Sequence, residues 1–142
     1  MERYAAYCGL YCGACTSMIM KDRADGVATA LQMQLTTNDS PCGGCRSADM
    51  ADCEFVKCNR DHGTESCAFC TEFPCPRIVS FKGEEWEHHQ VVIDNLMRIK
   101  EIGIPAWIEE QKERWKCPSC GSRTAWYQQS CPACGEIITN YM

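Results

Sequence analysis

Four cysteines near the end of the chain have the spacing of a metal site. The unit Cys-Pro-x-Cys-Gly occurs twice, at residues 117–121 and 131–135. Two residues between cysteines form a tight turn that directs both sulfurs at one point, and zinc prefers four such ligands in a tetrahedron. Because four cysteines leave no coordination position open, the site is predicted to be structural. The sequence therefore predicts a zinc ribbon whose ligands are Cys117, Cys120, Cys131 and Cys134.

The segment between the two units is predicted to form a short β-hairpin. Ten residues separate Cys120 from Cys131, enough to bring the two turns face to face, and residues 124–127 have the composition of a strand. The glycine after each unit permits a left-handed backbone, which leaves amides free to donate to the thiolates. A module this small buries little apolar surface, so metal binding is expected to supply the missing folding free energy.

The first half of the chain holds ten more candidate metal ligands: Cys8, Cys12, Cys15, Cys42, Cys45, Cys53, Cys58, Cys67, Cys70 and Cys75. One partition joins the C-x-x-C pairs at 42–45 and 67–70, and leaves a second quartet of Cys8, Cys12, Cys15 and Cys75. A nearly equal alternative joins the pair at 42–45 to Cys53 and Cys58. These thiolates are expected to hold zinc, giving two or three ions in the whole chain, or an iron–sulfur cluster together with zinc.

Three histidines accompany the cysteines. His62 lies among the N-terminal cysteines and could replace one thiolate, although an ordinary polar loop residue is the simpler interpretation. His88 and His89 fall in a segment without cysteines, where packed or solvated histidines are far commoner than metal ligands. The cysteines therefore remain the primary candidate ligands.

Composition and charge restrict the class of protein. Fourteen of the 142 residues are cysteines, a level that indicates a cross-linked scaffold. The close pairs favour metal over disulfides, and the first residues lack the apolar stretch of a signal peptide, so a cytoplasmic protein is expected. No run approaches the roughly 18 apolar residues that a membrane span needs. The net charge of −5 argues against binding a phosphate backbone.

Helices are expected between the cysteine groups. Residues 25–35 carry an apolar stripe at helical spacing, and so do residues 83–101 and 106–115. Gly103 and Pro105 separate the last two helices. We therefore predict a small, metal-stabilised α+β chain. Its parts would be a cysteine-rich metal-binding domain with short helices over residues 1–82, a helical connector over 83–115 and a zinc ribbon of β-hairpins over 116–142.

The order of the cysteines resembles a known family. The segments at 8–15 (Cys-Gly-Leu-Tyr-Cys-Gly-Ala-Cys), 42–45 (Cys-Gly-Gly-Cys), 53–58 and 67–75 are similar to those of the prokaryotic family catalogued as domain of unknown function 3795. Residues 95–103, Trp107 and the terminal ribbon resemble its longer members. Thr16 stands where many relatives carry proline. The resemblance implies a cysteine-rich, zinc-binding, cytoplasmic protein and no particular activity.

We predict a non-enzymatic zinc-binding protein that acts as an interaction or adaptor module. The cysteine sites are interpreted as complete sets of ligands with no coordination position open for a substrate. The sequence also contains neither a paired acid and base nor a phosphate-binding glycine loop. The expected partner is a protein that docks on the acidic helical segment. The oligomeric state stays open.

Two alternative functions remain. Surplus N-terminal cysteines could serve iron–sulfur or thiol-redox chemistry, since cations lie near them in sequence: Arg3, Lys57, Arg60 and Arg77. Basic and aromatic residues around the ribbon could instead bind single-stranded nucleic acid, although the acidic chain disfavours it. These residues are Arg114, Trp115, Lys116, Arg123, Trp126 and Tyr127.

Overall fold

The computed structural model describes residues 2–25 and 40–139, and its regular structure is helical. These residues contain five α-helices: α1 (Thr16–Ala24), α2 (Glu54–His62), α3 (Pro76–Lys82), α4 (Val92–Ile102) and α5 (Ile104–Arg114). Short 3₁₀ helices cover Glu2–Tyr4, Cys12–Ala14, Ala48–Met50, Cys67–Phe69 and Glu87–His89. No helix of the described chain has the length and apolarity needed to cross a membrane. The helix predicted over 25–35 lies, from residue 26 onward, outside the described residues.

The predicted α+β fold with zinc-ribbon β-hairpins is wrong. Within residues 2–25 and 40–139 the backbone forms single antiparallel bridges, and none of them extends into a strand. The reason lies in residues 124–127, whose amides bind different parts of the chain. The Thr124 N–H donates to the Trp115 carbonyl at 2.8 Å, and the Trp126 N–H donates to the Ala14 carbonyl at 2.9 Å. Such a segment cannot form the regular ladder of a hairpin.

The two C-terminal helices agree with the sequence periodicity, but the first begins later than predicted. Helix α4 begins at Val92, and residues 83–91 instead contain the 3₁₀ turn Glu87–His89. Gly103 has a φ of 84°, a left-handed value that glycine adopts without strain, and Pro105 lies in the first turn of α5. Helices α2 and α3 were not predicted, because closely spaced cysteines obscure the repeat of such short helices.

Helices α4 and α5 pack against the N-terminal residues in one apolar core. Trp107 of α5 is fully buried, and its ring meets Tyr11 edge-on with centroids 6.0 Å apart. Gly9 lies against α4, where a Cβ would come within 2.7 Å of the Val92 carbonyl oxygen, so that only glycine fits. The Asn95 side chain donates to the Gly9 carbonyl at 2.8 Å. Residues on both sides of the boundary predicted at 82/83 therefore share a core, which supports the cysteine-bearing turns.

A buried carboxylate connects distant parts of the chain. The Asp22 side chain in α1 is fully buried and accepts hydrogen bonds from Arg3 at 2.5 Å, the Tyr4 hydroxyl at 2.7 Å and Arg123 at 2.7 Å. Arg123 belongs to the segment between the two C-terminal cysteine pairs, and its Nε also donates to the Gly13 carbonyl at 2.6 Å. Asp22 therefore fixes the C-terminal segment against the N-terminal one.

We expect Asp22→Ala to lower the free energy of unfolding by about 3 kcal/mol, because it leaves Arg3 and Arg123 without their buried counter-ion. Asp25→Ala is the control near the same helix. Its carboxylate pairs with Lys21 at 2.8 Å on the surface, and such a pair contributes about 0.5 kcal/mol. Urea denaturation followed by circular dichroism measures both variants. Equal, small losses would contradict the role assigned to Asp22.

Candidate metal centres

The four C-terminal cysteines form a closed set of ligands. Their sulfurs all lie within 4.8 Å of one another. The Cys117 and Cys134 sulfurs are 3.6 Å apart, and the Cys120 and Cys131 sulfurs are also 3.6 Å apart. Zinc–sulfur bonds of about 2.3 Å in a tetrahedron require sulfurs separated by about 3.8 Å. These cysteines, called the C-terminal quartet below, therefore match one tetrahedral metal ion.

The two cysteine pairs of the C-terminal quartet have the same backbone structure. In each, the N–H of the glycine after the second cysteine donates to the carbonyl of the first: Gly121 to Cys117 at 2.9 Å, and Gly135 to Cys131 at 2.8 Å. Both glycines have positive φ, 74° and 78°. A side chain would strain the backbone at these positions. The duplicated sequence unit thus corresponds to a duplicated turn that holds two sulfurs.

One thiol of the C-terminal quartet has a lowered pKa. Cys117 and Cys131 are buried, whereas Cys120 and Cys134 are exposed. The Cys120 sulfur lies 3.2 Å from the Ser122 hydroxyl oxygen, and hydrogen bonds from the side chain and then the backbone of Ser122 lower the pKa of Cys120 to about 6. The thiolate is the form that binds metal, so this cysteine is prepared for coordination.

The segment between the C-terminal pairs docks on the first N-terminal cysteine turn. In addition to the bond from Arg123 to Gly13, the Trp126 N–H donates to the Ala14 carbonyl at 2.9 Å. Gly13 and Ala14 are the two residues enclosed by the C-x-x-C pair at 12–15. The C-terminal quartet is therefore held, through backbone contacts, beside a second turn that carries candidate ligands.

Six N-terminal cysteines lie around that turn: Cys8, Cys12, Cys15, Cys42, Cys45 and Cys53. Burial raises the pKa of Cys12 well above its usual value, and the charges of the neighbouring thiols of Cys45, Cys8, Cys15 and Cys42 raise it further. Cys53 lies near Cys8 and Cys45. The Tyr7 N–H donates to the Cys45 sulfur at 3.3 Å, and the Gly44 N–H donates to the Cys42 sulfur at 3.4 Å. N–H···S bonds of this kind stabilise a metal-binding thiolate.

The other four N-terminal cysteines line one pocket, and we call them the pocket quartet: Cys58, Cys67, Cys70 and Cys75. The buried Asn59 side chain donates to the Cys67 sulfur at 3.1 Å and to the Phe55 carbonyl at 2.8 Å. Burial raises the pKa of Cys67 to about 11, against the lowering effect of the Asn59 bond, and the other three thiols raise it further. The spacing of the cysteines does not indicate this grouping, and the sequence signals Asn59 only by its place on the face of α2 that carries Phe55.

The ten N-terminal sulfurs are less tightly gathered than the C-terminal four. All ten belong to the described residues, and no three of them lie within 4.8 Å of one another. The pairs at 42–45 and 67–70 are thus not assembled as a single-ion site. The same holds for Cys8, Cys12 and Cys15 with Cys75, and for the pair at 42–45 with Cys53 and Cys58. That these cysteines bind metal stays a prediction.

A second compact group of possible ligands lies on the rim of the pocket. The ligand atoms of His62, Cys70 and Glu72 are within 4.8 Å of one another. His62 Nδ1 is 2.8 Å from the Cys58 carbonyl oxygen, and its Nε2 is 3.0 Å from the Glu72 carboxylate. Both contacts raise the pKa of His62, and the contact with the Cys58 carbonyl has the larger effect. The ring thus favours an ion pair with Glu72, a residue that sequence spacing did not single out.

His88 and His89 contact aromatic rings. The His88 ring stacks on Trp126 with centroids 4.3 Å apart, and its Nδ1 lies 2.6 Å from the Tyr127 hydroxyl oxygen. Burial, and then the neighbouring His89, lower the pKa of His88 to about 4. The His89 ring stacks on Phe81 at 3.9 Å. These contacts fix the segment before α4 against the loop of the C-terminal quartet.

The cations near the N-terminal cysteines are mostly paired with carboxylates. Arg3 pairs with Asp22, Lys57 lies 3.8 Å from Asp52, and Arg77 lies 3.6 Å from Glu54. Burial raises the pKa of four thiols: Cys8, Cys12, Cys45 and Cys67. An activated cysteine requires the opposite, an exposed thiol with a lowered pKa. These four thiols therefore do not have the environment of a redox nucleophile.

Several residues considered for nucleic-acid binding are engaged within the chain. Trp115 is buried, Lys116 pairs with Glu113, and Arg123 is held by Asp22. The Trp126 ring stacks on His88, so that face of the ring is not available to stack with a base. A strand-binding groove needs exposed rings and free cations together. Trp115 and Arg123 are therefore not available to a nucleic-acid strand, whereas Arg114, Lys116 and Tyr127 stay exposed.

Comparison with known proteins identifies one relationship. The model of the family described as Protein of unknown function (DUF3795) matches residues 4–80, more than half of the chain. The match includes all ten N-terminal cysteines and ends before the C-terminal quartet. No curated protein and no solved structure matches this chain.

We expect His62 and His88 to titrate on opposite sides of the ordinary histidine pKa. In an NMR titration of the metal-loaded protein from about pH 8 to about pH 5.5, the His62 ring should become charged while the His88 ring stays neutral. Because the pKa of His88 is lower in the folded chain, its neutral form stabilises the fold above about pH 6.5. That contribution is lost as the pH falls toward about 4.

His62→Gln and His88→Gln assign the two resonances in this titration. A His88 midpoint near the ordinary value would contradict its burial against Trp126 and Tyr127.

Proposed function

We propose that this chain, which belongs to the family described as Protein of unknown function (DUF3795), is a zinc-binding protein whose C-terminal quartet holds a structural zinc ion. The observation that carries the proposal is the separation of 3.6 Å across both pairs of facing sulfurs. This spacing suits one ion of the size of zinc, and four thiolates are a ligand set that zinc prefers. A complete set of protein ligands supports a structural role over a catalytic one.

Apolar packing around the C-terminal quartet supports the structural role of the metal. The local core consists of Cys117, Cys131 and Ile138, and two of these three side chains are themselves ligands. Such a core buries too little surface to order about twenty residues. Structural zinc contributes about 10 kcal/mol or more to folding in small zinc-binding units. The metal would therefore hold the loop that carries Arg123 and Trp126 in place.

We assign the protein to a reducing compartment, the cytoplasm. All fourteen cysteines are free of disulfide bonds, including pairs that are separated by only two residues. Thiols kept reduced are characteristic of cytoplasmic proteins, and reduced thiols are what zinc requires. The localisation and the zinc assignment thus support each other.

The biological role that we propose is that of a non-enzymatic interaction module. Trp86 and Tyr127 are 53% and 43% exposed, and the centroids of their rings lie 6.3 and 5.6 Å from that of His88. We call Trp86, His88 and Tyr127 the aromatic patch. Tryptophan and tyrosine are enriched in protein interfaces, because each side chain combines an apolar ring that can be buried with a polar group that can form a hydrogen bond. The C-terminal quartet positions Tyr127 and so completes this patch.

The charge around the aromatic patch indicates the chemistry of its partner. Glu84, Glu85 and Glu87 flank Trp86 in sequence, and all three are exposed. A carboxylate rim around exposed rings attracts a protein surface that carries lysine or arginine, through ion pairs and cation–π contacts. The proposed partner is therefore a protein with a basic and partly apolar docking surface.

We expect the double variant Cys117→Ser/Cys134→Ser to bind one zinc ion fewer per chain than the wild type. The two sulfurs face each other, and serine replaces half of the ligand set with poorer donors. Ser119→Ala, an exposed change in the same turn, is the control and should keep the ion. Elemental analysis of the purified full chain measures the zinc content. The same zinc content in both variants would overturn the assignment.

We expect Trp86→Ala to lose a partner that the wild type retains in affinity capture from an extract of the source cells. Met97→Ala is the control, because Met97 is 58% exposed but lies on α4 outside the aromatic patch. Retention should weaken as salt increases, since carboxylates contribute to the contact. A partner set that is identical for both variants, or no reproducible partner, would contradict the interaction module.

A further inference from the structure

Three side chains of different types meet on the rim of the pocket, and we call them the rim site: His62, Cys70 and Glu72. Their ligand atoms all lie within 4.8 Å of one another, and the His62 Nε2 atom is 3.0 Å from the Glu72 carboxylate. Bonds from zinc to nitrogen, oxygen and sulfur in a tetrahedron place such atoms about 3.3 to 3.6 Å apart. The rim site is therefore compact enough to enclose one metal ion.

The backbone brings these side chains together from two separate segments. His62 is the last residue of α2. Cys70 follows the 3₁₀ helix Cys67–Phe69 directly. The Phe73 N–H then donates to the Cys70 carbonyl at 3.2 Å, which closes the tight turn that carries Glu72. A helix end and a hydrogen-bonded turn thus hold the three ligand atoms in place.

The second ring nitrogen of His62 has the partner that a metal-binding histidine requires. Its Nδ1 atom lies 2.8 Å from the Cys58 carbonyl oxygen. Because a carbonyl only accepts hydrogen bonds, Nδ1 carries the proton, and the lone pair of the neutral ring lies on Nε2. Histidines that bind metal through one nitrogen donate the other N–H to such an acceptor. The ring is therefore oriented with its free lone pair toward the rim site.

We infer that the rim site binds a divalent ion of the zinc type through His62 Nε2, Cys70 Sγ and a carboxylate oxygen of Glu72. Without the ion, His62 and Glu72 form the ion pair described above. Binding releases the protons of His62 Nε2 and of the Cys70 thiol to solvent. The inference goes beyond the proposed zinc and interaction roles and does not depend on them.

The chemistry of the three ligands indicates the kind of ion. Imidazole and thiolate favour zinc and its neighbours over magnesium and calcium, which prefer oxygen. One thiolate and one carboxylate balance both positive charges, so the loaded site is neutral. The His62 and Glu72 side chains are 40% and 68% exposed, and three ligands leave the fourth position of a tetrahedron to water. The rim site therefore suits an ion that exchanges with solution, in contrast to the closed C-terminal quartet.

Titration of the reduced, zinc-carrying full chain with cobalt(II) tests the inference, because four-coordinate cobalt absorbs visible light and its bond to a thiolate adds a charge-transfer band. The wild type should bind a cobalt ion whose affinity falls about tenfold or more in His62→Gln and in Glu72→Gln. Cys70→Ser should lose the charge-transfer intensity of that ion. Asp61→Asn is the matched control, since this exposed carboxylate adjoins His62 in sequence and lies outside the rim site, and it should bind as the wild type does.

Two further variants separate the rim site from the other cysteines. Cys117→Ser/Cys134→Ser should keep the cobalt response, so that failure of the zinc proposal would be seen separately. Cys75→Ser changes a partly buried thiol of the pocket quartet outside the rim site and should also keep it. The inference is overturned if the wild type binds no cobalt, or if His62→Gln and Glu72→Gln bind it as tightly as the wild type. It is also overturned if Cys75→Ser abolishes binding as Cys70→Ser does, which would place the ion among the thiols of the pocket quartet.

Discussion

Asp22 is a charged group with no exposed surface, and the position of the C-terminal segment depends on how that charge is compensated. An ion in the interior is tolerated only when counter-ions and hydrogen bonds replace the water it has lost. Arg3 and Tyr4 supply part of that replacement from the start of the chain, and Arg123 supplies the rest from more than a hundred residues away. The C-terminal segment therefore supplies part of the charge compensation for a carboxylate near the start of the chain.

The thiols of the C-terminal quartet and those of the N-terminal cysteines lie in different electrostatic environments. In the C-terminal quartet, Cys120 is exposed and has a lowered pKa. Among the N-terminal thiols, burial raises the pKa of Cys12 and of Cys67. Backbone and amide N–H groups already point at Cys42, Cys45 and Cys67. Hydrogen-bond donors therefore already contact three of the N-terminal sulfurs.

Local spacing determined how much could be predicted from the sequence. The C-terminal quartet follows from two tight turns, each specified by five consecutive residues, and the structure gathers its four sulfurs as expected. Which of the other ten cysteines lie close together depends on how α2 and α3 are oriented. The spacing of cysteines along the sequence does not determine that orientation. The burial of Asp22 could not be predicted from the sequence either, since a single carboxylate on a helix is usually exposed to solvent. The predicted hairpin is wrong because the Thr124 and Trp126 amides donate to other segments, to Trp115 and Ala14.

The family segment ends at residue 80, yet three carbonyl groups near its start receive hydrogen bonds from residues beyond 90. Asn95 donates to Gly9, Arg123 to Gly13 and Trp126 to Ala14. A fragment cut at this border would return those carbonyls to water and uncover the ring of Tyr11, which packs on Trp107. The segment that the family model matches and the apolar core therefore have different limits in this chain, because the core also includes residues of α4 and α5.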